Sequence, residues 1–189
     1  MAKNADLARI YGGDDDAIWL APIGTDTTAI TITTDLSADA AFEEVGWLET
    51  DTGFTESATG SVEKKRAHQG NRVIRTRISE SGTTIAFVAL EDKAQTRELR
   101  YDITSSSTTL GVRTEERTPG QKVAKRVCVI DKFDADDDTV QERTIIDVFE
   151  ISANGDRTYV NADIAAFPFI GEVISNYTVL STDVENPGE

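Results

Sequence analysis

Residues Gly46 to Asp92 read GWLETDTGFTESATGSVEKKRAHQGNRVIRTRISESGTTIAFVALED. Two runs of β-branched and aromatic residues flank a polar, basic middle, and Gly-containing turn signals punctuate both runs. The spacing predicts a strand pair at each end. Val45–Thr50 and Phe54–Thr59 would turn at Asp51-Thr52-Gly53, and Arg72–Glu80 and Thr83–Glu91 would turn at Ser81-Gly82. Between the pairs, Gly60–Asn71 reads as a loop carrying Lys64, Lys65, Arg66 and His68. Ile85–Leu90 (IAFVAL) is apolar on both alternations, as expected of a buried central strand. Charged loops on a compact β scaffold are where binding functions concentrate.

The rest of the chain extends this β reading. Ala17–Ile23 (AIWLAPI) is a short apolar strand, and Asp26–Thr34 alternates Thr with Ile like an edge strand. Asp35–Glu44 suggests a short helix or helical loop capped by Ser37. Asp92–Tyr101 is the best helix, with Asp92 as its cap. Asp102–Leu110 reads as a Ser/Thr loop. Gln121–Phe133 and Thr139–Ala153 predict a long hairpin through Asp134–Asp138. Asn154-Gly155 signals a further hairpin returning through Arg157–Val160. Phe167-Pro168-Phe169 then connects to a last strand at Glu172–Leu180. The expectation is a mainly β fold: a sandwich or barrel of two antiparallel sheets, one flanking helix and a long inter-strand loop. Residues 1–16 would form an N-terminal arm, 17–180 the β domain and 181–189 a C-terminal tail.

Composition narrows function. The 189 residues are 39% hydrophobic but only 7% aromatic, so the core rests on Val, Ile, Leu and Ala. A net charge of −15 argues against tight nucleic-acid binding, which needs a basic footprint. It suits plain solubility, and equally a surface that nucleic acid passes without sticking. A single Cys, Cys128, lies in the apolar run Val127–Ile130 and reads as a core residue. The N-terminus lacks the apolar centre of a signal peptide, and no apolar run approaches the roughly 18–20 residues of a membrane span.

No catalytic or cofactor motif emerges. Asp134, Asp136 and Asp138 share the spacing of a calcium loop, but Thr139 stands where that loop needs Gly and Ile145 where it needs Glu. One Cys and one His fall short of the usual zinc ligand set. G-x-S-x-G and phosphate-loop patterns are absent. Neither a metal, a cofactor nor enzymatic activity is expected. The basic loop reads either as a solvated surface loop, the usual role of a charge run, or as a contact arm for the acidic surface of another copy, a head-to-tail arrangement that closes into a ring where the rotation allows.

Taken in order, these features resemble the major tail tube proteins of long-tailed bacteriophages. The resemblance rests on AIWLAPIGT (residues 17–25) and GWLETDTGFTES (46–57). It continues through the run from Lys64 to Glu91, containing AHQG, RVIRT and SESGTTIAFVALE, and through the helix that follows. A hairpin near Asn154-Gly155, a Phe-Pro step and a C-terminal strand complete it. The resemblance implies hexameric rings stacked into a hollow tube that conducts DNA during ejection. Tape-measure protein would fill the lumen, and tail tip and tail terminator proteins would meet the ends. It implies a place in the virion, with assembly in the host cytoplasm. Lys64, Lys65, Arg66 and His68 would contact neighbouring subunits. Glu56, Glu80 and Glu142 are candidate lumen-facing residues, although Lys125 and Asp147 interrupt the alternation that would settle the inward face. The alternative is a monomeric β-sandwich binding or decoration module of a virion or cell surface.

Overall fold

The computed structural model describes residues 8–51 and 53–183. It is mainly β, 53% strand and 7% helical, with two antiparallel sheets and one α-helix. The strands are β1 (Ala17–Pro22), β2 (Glu43–Glu44), β3 (Phe54–Arg66), β4 (Val73–Ala89), β5 (Asp102–Thr109), β6 (Val112–Thr118), β7 (Val123–Phe133), β8 (Gln141–Ala153), β9 (Phe167–Val173) and β10 (Tyr177–Ser181). The helix α1 spans Ala94–Arg100. The large sheet runs β2-β1-β7-β8-β9-β4-β3, with β10 also on β8, while β5 and β6 form a separate two-stranded sheet.

The large sheet curls around its own core. Ile18 of β1, Cys128 and Ile130 of β7, Phe149 and Ile151 of β8, Phe167 and Phe169 of β9 and Phe87 of β4 belong to one buried cluster. In a flat sheet β1 and β4 would stand about 19 Å apart, four spacings of roughly 4.8 Å. The segment after β2 joins the two ends: Val45 N–H donates to Ile18 O, and Leu90 N–H donates to Trp47 O. Only one residue separates Val45 from Trp47, so the ends lie close together. The ladder itself does not close into a barrel.

Helix α1 sends Leu99 into this core. A second cluster lies on the sheet's outer face, where Leu36 and Phe42 cover Ala21, Val127, Val129 and Ile145. Strands β1 and β7 are therefore buried on both faces, which explains their unbroken apolar runs. Cys128 is a fully buried core residue, as its neighbours suggested.

Several expected elements take other forms. Val45–Thr50 does not pair with Phe54–Thr59. Leu48 bridges Ala89 and Phe54 pairs with Phe87, so both runs line the same edge of β4. The Gly53 segment loops out between them rather than reversing the chain. Ser81-Gly82 is likewise no turn. Thr59 pairs with Gly82 and Ser61 with Ser79, leaving two residues opposite Gly60. This is a bulge, with Glu80 at φ 55°, and it bends β4 without ending it.

Asp26–Thr34 forms turns, because Asp26 Oδ1 accepts from Thr28 N–H at 3.0 Å and Thr34 Oγ1 from Thr31 N–H at 2.8 Å. Such local bonds compete with a ladder. Asp35, not Ser37, caps the 3-10 turn Leu36–Ala38. Asp92 lies before the N-cap of α1, where Thr96 Oγ1 instead accepts from Lys93 N–H at 2.9 Å. The chain after Asn154 returns through β9 rather than Arg157–Val160, so the Phe-Pro-Phe step is a core strand.

Of the expected arm, residues 1–7 lie outside the described residues. Beyond them, Tyr11 bridges Asp134, and the N–H groups of Gly12 and Gly13 donate to Phe133 O. Of the expected tail, 184–189 also lie outside the described residues. No helix among the described residues is long and apolar enough to cross a membrane.

Candidate functional site

Two ribbons carry the exposed chemistry. The first is the part of the β3–β4 pair beyond the Gly60 bulge. Lys64, Lys65 and Arg66 were expected in a loop, but they lie on strand β3, opposite Thr76, Arg75 and Val73. Six residues at about 3.3 Å each carry this ribbon roughly 20 Å past the bulge. Its tip is short: His68 occupies the N-cap position of the 3-10 turn Gln69–Asn71. The tip is closed by Ala67 N–H to Arg72 O at 2.8 Å and Arg66 Nη1 to Asn71 O at 3.0 Å.

The ribbon has two unlike faces. Val62 pairs with Ile78 and Lys64 with Thr76 on one face, while Glu63 pairs with Arg77 and Lys65 with Arg75 on the other. Two cations directly opposite each other, as at Lys65 and Arg75, weaken an isolated ribbon. Between Ser61 and Glu80 six basic residues stand against two acidic ones, on a chain whose net charge is −15. Among the described residues none of these six cations makes an ion pair. Arg75 and Arg77 thus join Lys64 and Lys65 as free positive charge. The sequence reading missed them because it placed them in a separate hairpin.

The second ribbon is β5–β6, whose first strand replaces the Ser/Thr loop expected at Asp102–Leu110. Its two-residue turn is Leu110-Gly111, at φ 51° and 79°. That is the geometry of a hairpin turn usually marked by Asn-Gly or Asp-Gly, and Leu hides the signal. Leu110 is 99% exposed. At its base, Arg97 Nε of α1 donates to Glu115 Oε1 at 2.9 Å. Arg117 Nη2 donates to Glu115 Oε2 at 2.6 Å, and the Arg117 guanidinium stacks 3.7 Å from the Tyr101 ring centre.

The three candidate lumen carboxylates occupy three different settings. Glu56 accepts from the Tyr177 hydroxyl at 3.3 Å, joining β3 to β10. Glu80 sits in the bulge. Glu142 forms an ion pair with Lys132. The sequence offered no sign of these partners, which come from other strands.

Between the first ribbon's base and β10 lies an open cleft of about 750 Å³, lined by Gly60, Val62, Ile78, Val173 and Tyr177 among others. The acidic turns hold no metal cage: among the described residues no group of three or more His, Cys, Asp or Glu has metal-holding geometry. Asp134 and Asp137 instead accept turn N–H bonds from Asp136 and Thr139. Burial pushes the Cys128 thiol far above its ordinary pKa, which leaves it a poor nucleophile. No protein-family model matches the chain, and no curated protein sequence matches it.

Proposed function

We propose that this chain is a self-assembling structural protein of the phage tail-tube type. It would form hexameric rings stacked into a conduit for DNA, with tape-measure protein inside and tail tip and terminator proteins at the ends. The observation that carries this reading is the β3–β4 ribbon. Its outer strand β3 is 13 residues long and ends the sheet, so one row of its backbone donors and acceptors faces outward. Such an edge is a template for pairing with another chain. Beyond the bulge the same ribbon carries four net positive charges on an acidic protein, and an acidic second copy supplies the opposite sign. The overall negative charge suits a wall along which DNA slides.

Electron microscopy and analytical ultracentrifugation of the purified chain test this. Rings or tubes that grow with concentration are the expected result. A species that stays monomeric at millimolar concentration and low salt overturns the proposal in favour of a monomeric binding or decoration module.

A further inference from the structure

We infer that the Leu110-Gly111 tip of the second ribbon seats in the cleft beneath the first ribbon of another copy of this chain. The inference rests on the self-assembly reading and names a contact within it.

The tip is built at a conformational disadvantage. Leu110 holds a left-handed backbone at φ 51°, a region unfavourable to residues with a Cβ. Asn or Asp would adopt it readily and would also suit water. Leucine does neither, and it is 99% exposed, with Val112 beside it 66% exposed. A two-residue turn needs no apolar side chain at its apex for its own stability. An apolar knob there serves a surface outside its own ribbon.

The cleft has matching chemistry. Val62 and Ile78 form its ribbon wall and are 56% and 65% exposed, while Tyr177 on β10 is 40% exposed. On a chain that is 28% charged, none of the cleft's lining residues carries a charge. The tip shares this neutrality: Ile103 to Val112 contains no charged residue. The cations of the first ribbon begin only at Lys64, just past the cleft. Neutral knob and neutral cleft thus bury apolar surface without stranding a charge. Charged surfaces elsewhere on the copy would cost desolvation in the same place. A volume of about 750 Å³ lies within the range of sites that take several side chains' worth of ligand. In its own chain the tip is exposed, so it is available to the cleft of a neighbour.

One substitution and a cross-link test the contact. Leu110→Asn keeps the turn, since Asn-Gly favours the same geometry, and removes the knob. The concentration needed for assembly should rise roughly tenfold or more, as expected for losing one buried leucine, with the monomer's circular dichroism unchanged. Leu110→Cys and Ile78→Cys proteins, mixed and mildly oxidised, should give a mixed disulfide that neither forms alone; the native Cys128 is buried. Normal assembly of Leu110→Asn together with no mixed disulfide overturns this contact while leaving self-assembly standing. Leu110→Cys homodimers in place of mixed ones also overturn it. A wild-type chain that never assembles overturns both proposals.

Discussion

Arg97 of α1 and Glu115 of β6 meet at 2.9 Å with their side chains only 8% and 6% exposed. This pair fastens the small sheet to the body. Arg97 Nη1 also reaches Asp92 Oδ1 at 2.6 Å, and Arg113 and Arg117 complete the ring of cations around Glu115. The Arg117 guanidinium, with help from Arg97, holds the Glu115 carboxyl below its ordinary pKa against the opposing effect of burial. A depressed folded pKa contributes stability above the unfolded value of about 4.3, and that contribution is lost as pH falls through the folded value. Amide protection factors across residues 102–118, taken relative to the slower intrinsic exchange at low pH, should therefore fall at acid pH before the body unfolds. In Glu115→Gln the ribbon should exchange faster at neutral pH, with little further change in protection on acidification. Persistent acid-dependent loosening in that variant would place the fastening elsewhere.

Phe149 and Gly171 set a second expectation. A Cβ on Gly171 would fall 1.9 Å from Phe149 Cζ, and Phe149 is fully buried. Gly171→Ala should destabilise the fold by about 3 kcal/mol, the upper range for overpacking a core. Adding Phe149→Leu should recover part of the loss in urea unfolding. Additive losses in the double variant would contradict this account.

The buried pair of Arg143 and Asp131 pins the loop over the outer face. Arg143 Nη2 donates to Asp131 Oδ2 at 2.9 Å. Its Nη1 donates to the carbonyls of Thr31 and Thr34 at 2.7 and 2.8 Å. Asp131→Asn leaves a buried guanidinium without its counter-charge and should cost about 3–5 kcal/mol. Trp19 Nε1 donates to Asp131 at 3.2 Å, so tryptophan fluorescence should report the change. Protease sensitivity should appear first between residues 24 and 35.

Reversal of the first ribbon's charge tests the proposed assembly. Lys64→Glu, Lys65→Glu and Arg66→Glu together should abolish ring formation. Monomer stability should shift by no more than about 0.5 kcal/mol per site, as for ordinary surface changes. Arg75→Glu with Arg77→Glu should act the same way, because these residues share the ribbon. Rings that form normally in both variants would remove the ribbon from the interface.

The apolar runs at Ala17–Ile23 and Val127–Ile130 were legible as core strands because burial on both faces leaves no polar alternation. The long β7–β8 hairpin was legible because an acidic turn separates two apolar runs. Turn signals were less reliable. Gly53 and Gly82 were read as reversals, yet they serve a loop-out and a bulge. A glycine marks backbone freedom without saying whether the chain turns back. The opposite failure occurred at Leu110, where a true hairpin turn lacks the usual residues. The basic residues of the candidate site were visible as composition, but their placement on a strand was not.

Periodicity and charge therefore established a mainly β chain with a cationic segment on an acidic protein. These properties are local or additive, so they can be read along the chain. Tertiary structure decided that Val45 reaches β1 while Trp47–Glu49 lines β4, that β10 shares an edge of β8 with β9, and that Arg97 reaches Glu115. It also turned a loop into a ribbon with two unlike faces, one carrying Val62 and Ile78 beside Lys64 and the other Glu63, Lys65, Arg75 and Arg77. Each outcome depends on strand register between distant segments. A shift of one residue exchanges the two faces, and that choice follows from how the whole sheet packs around its core.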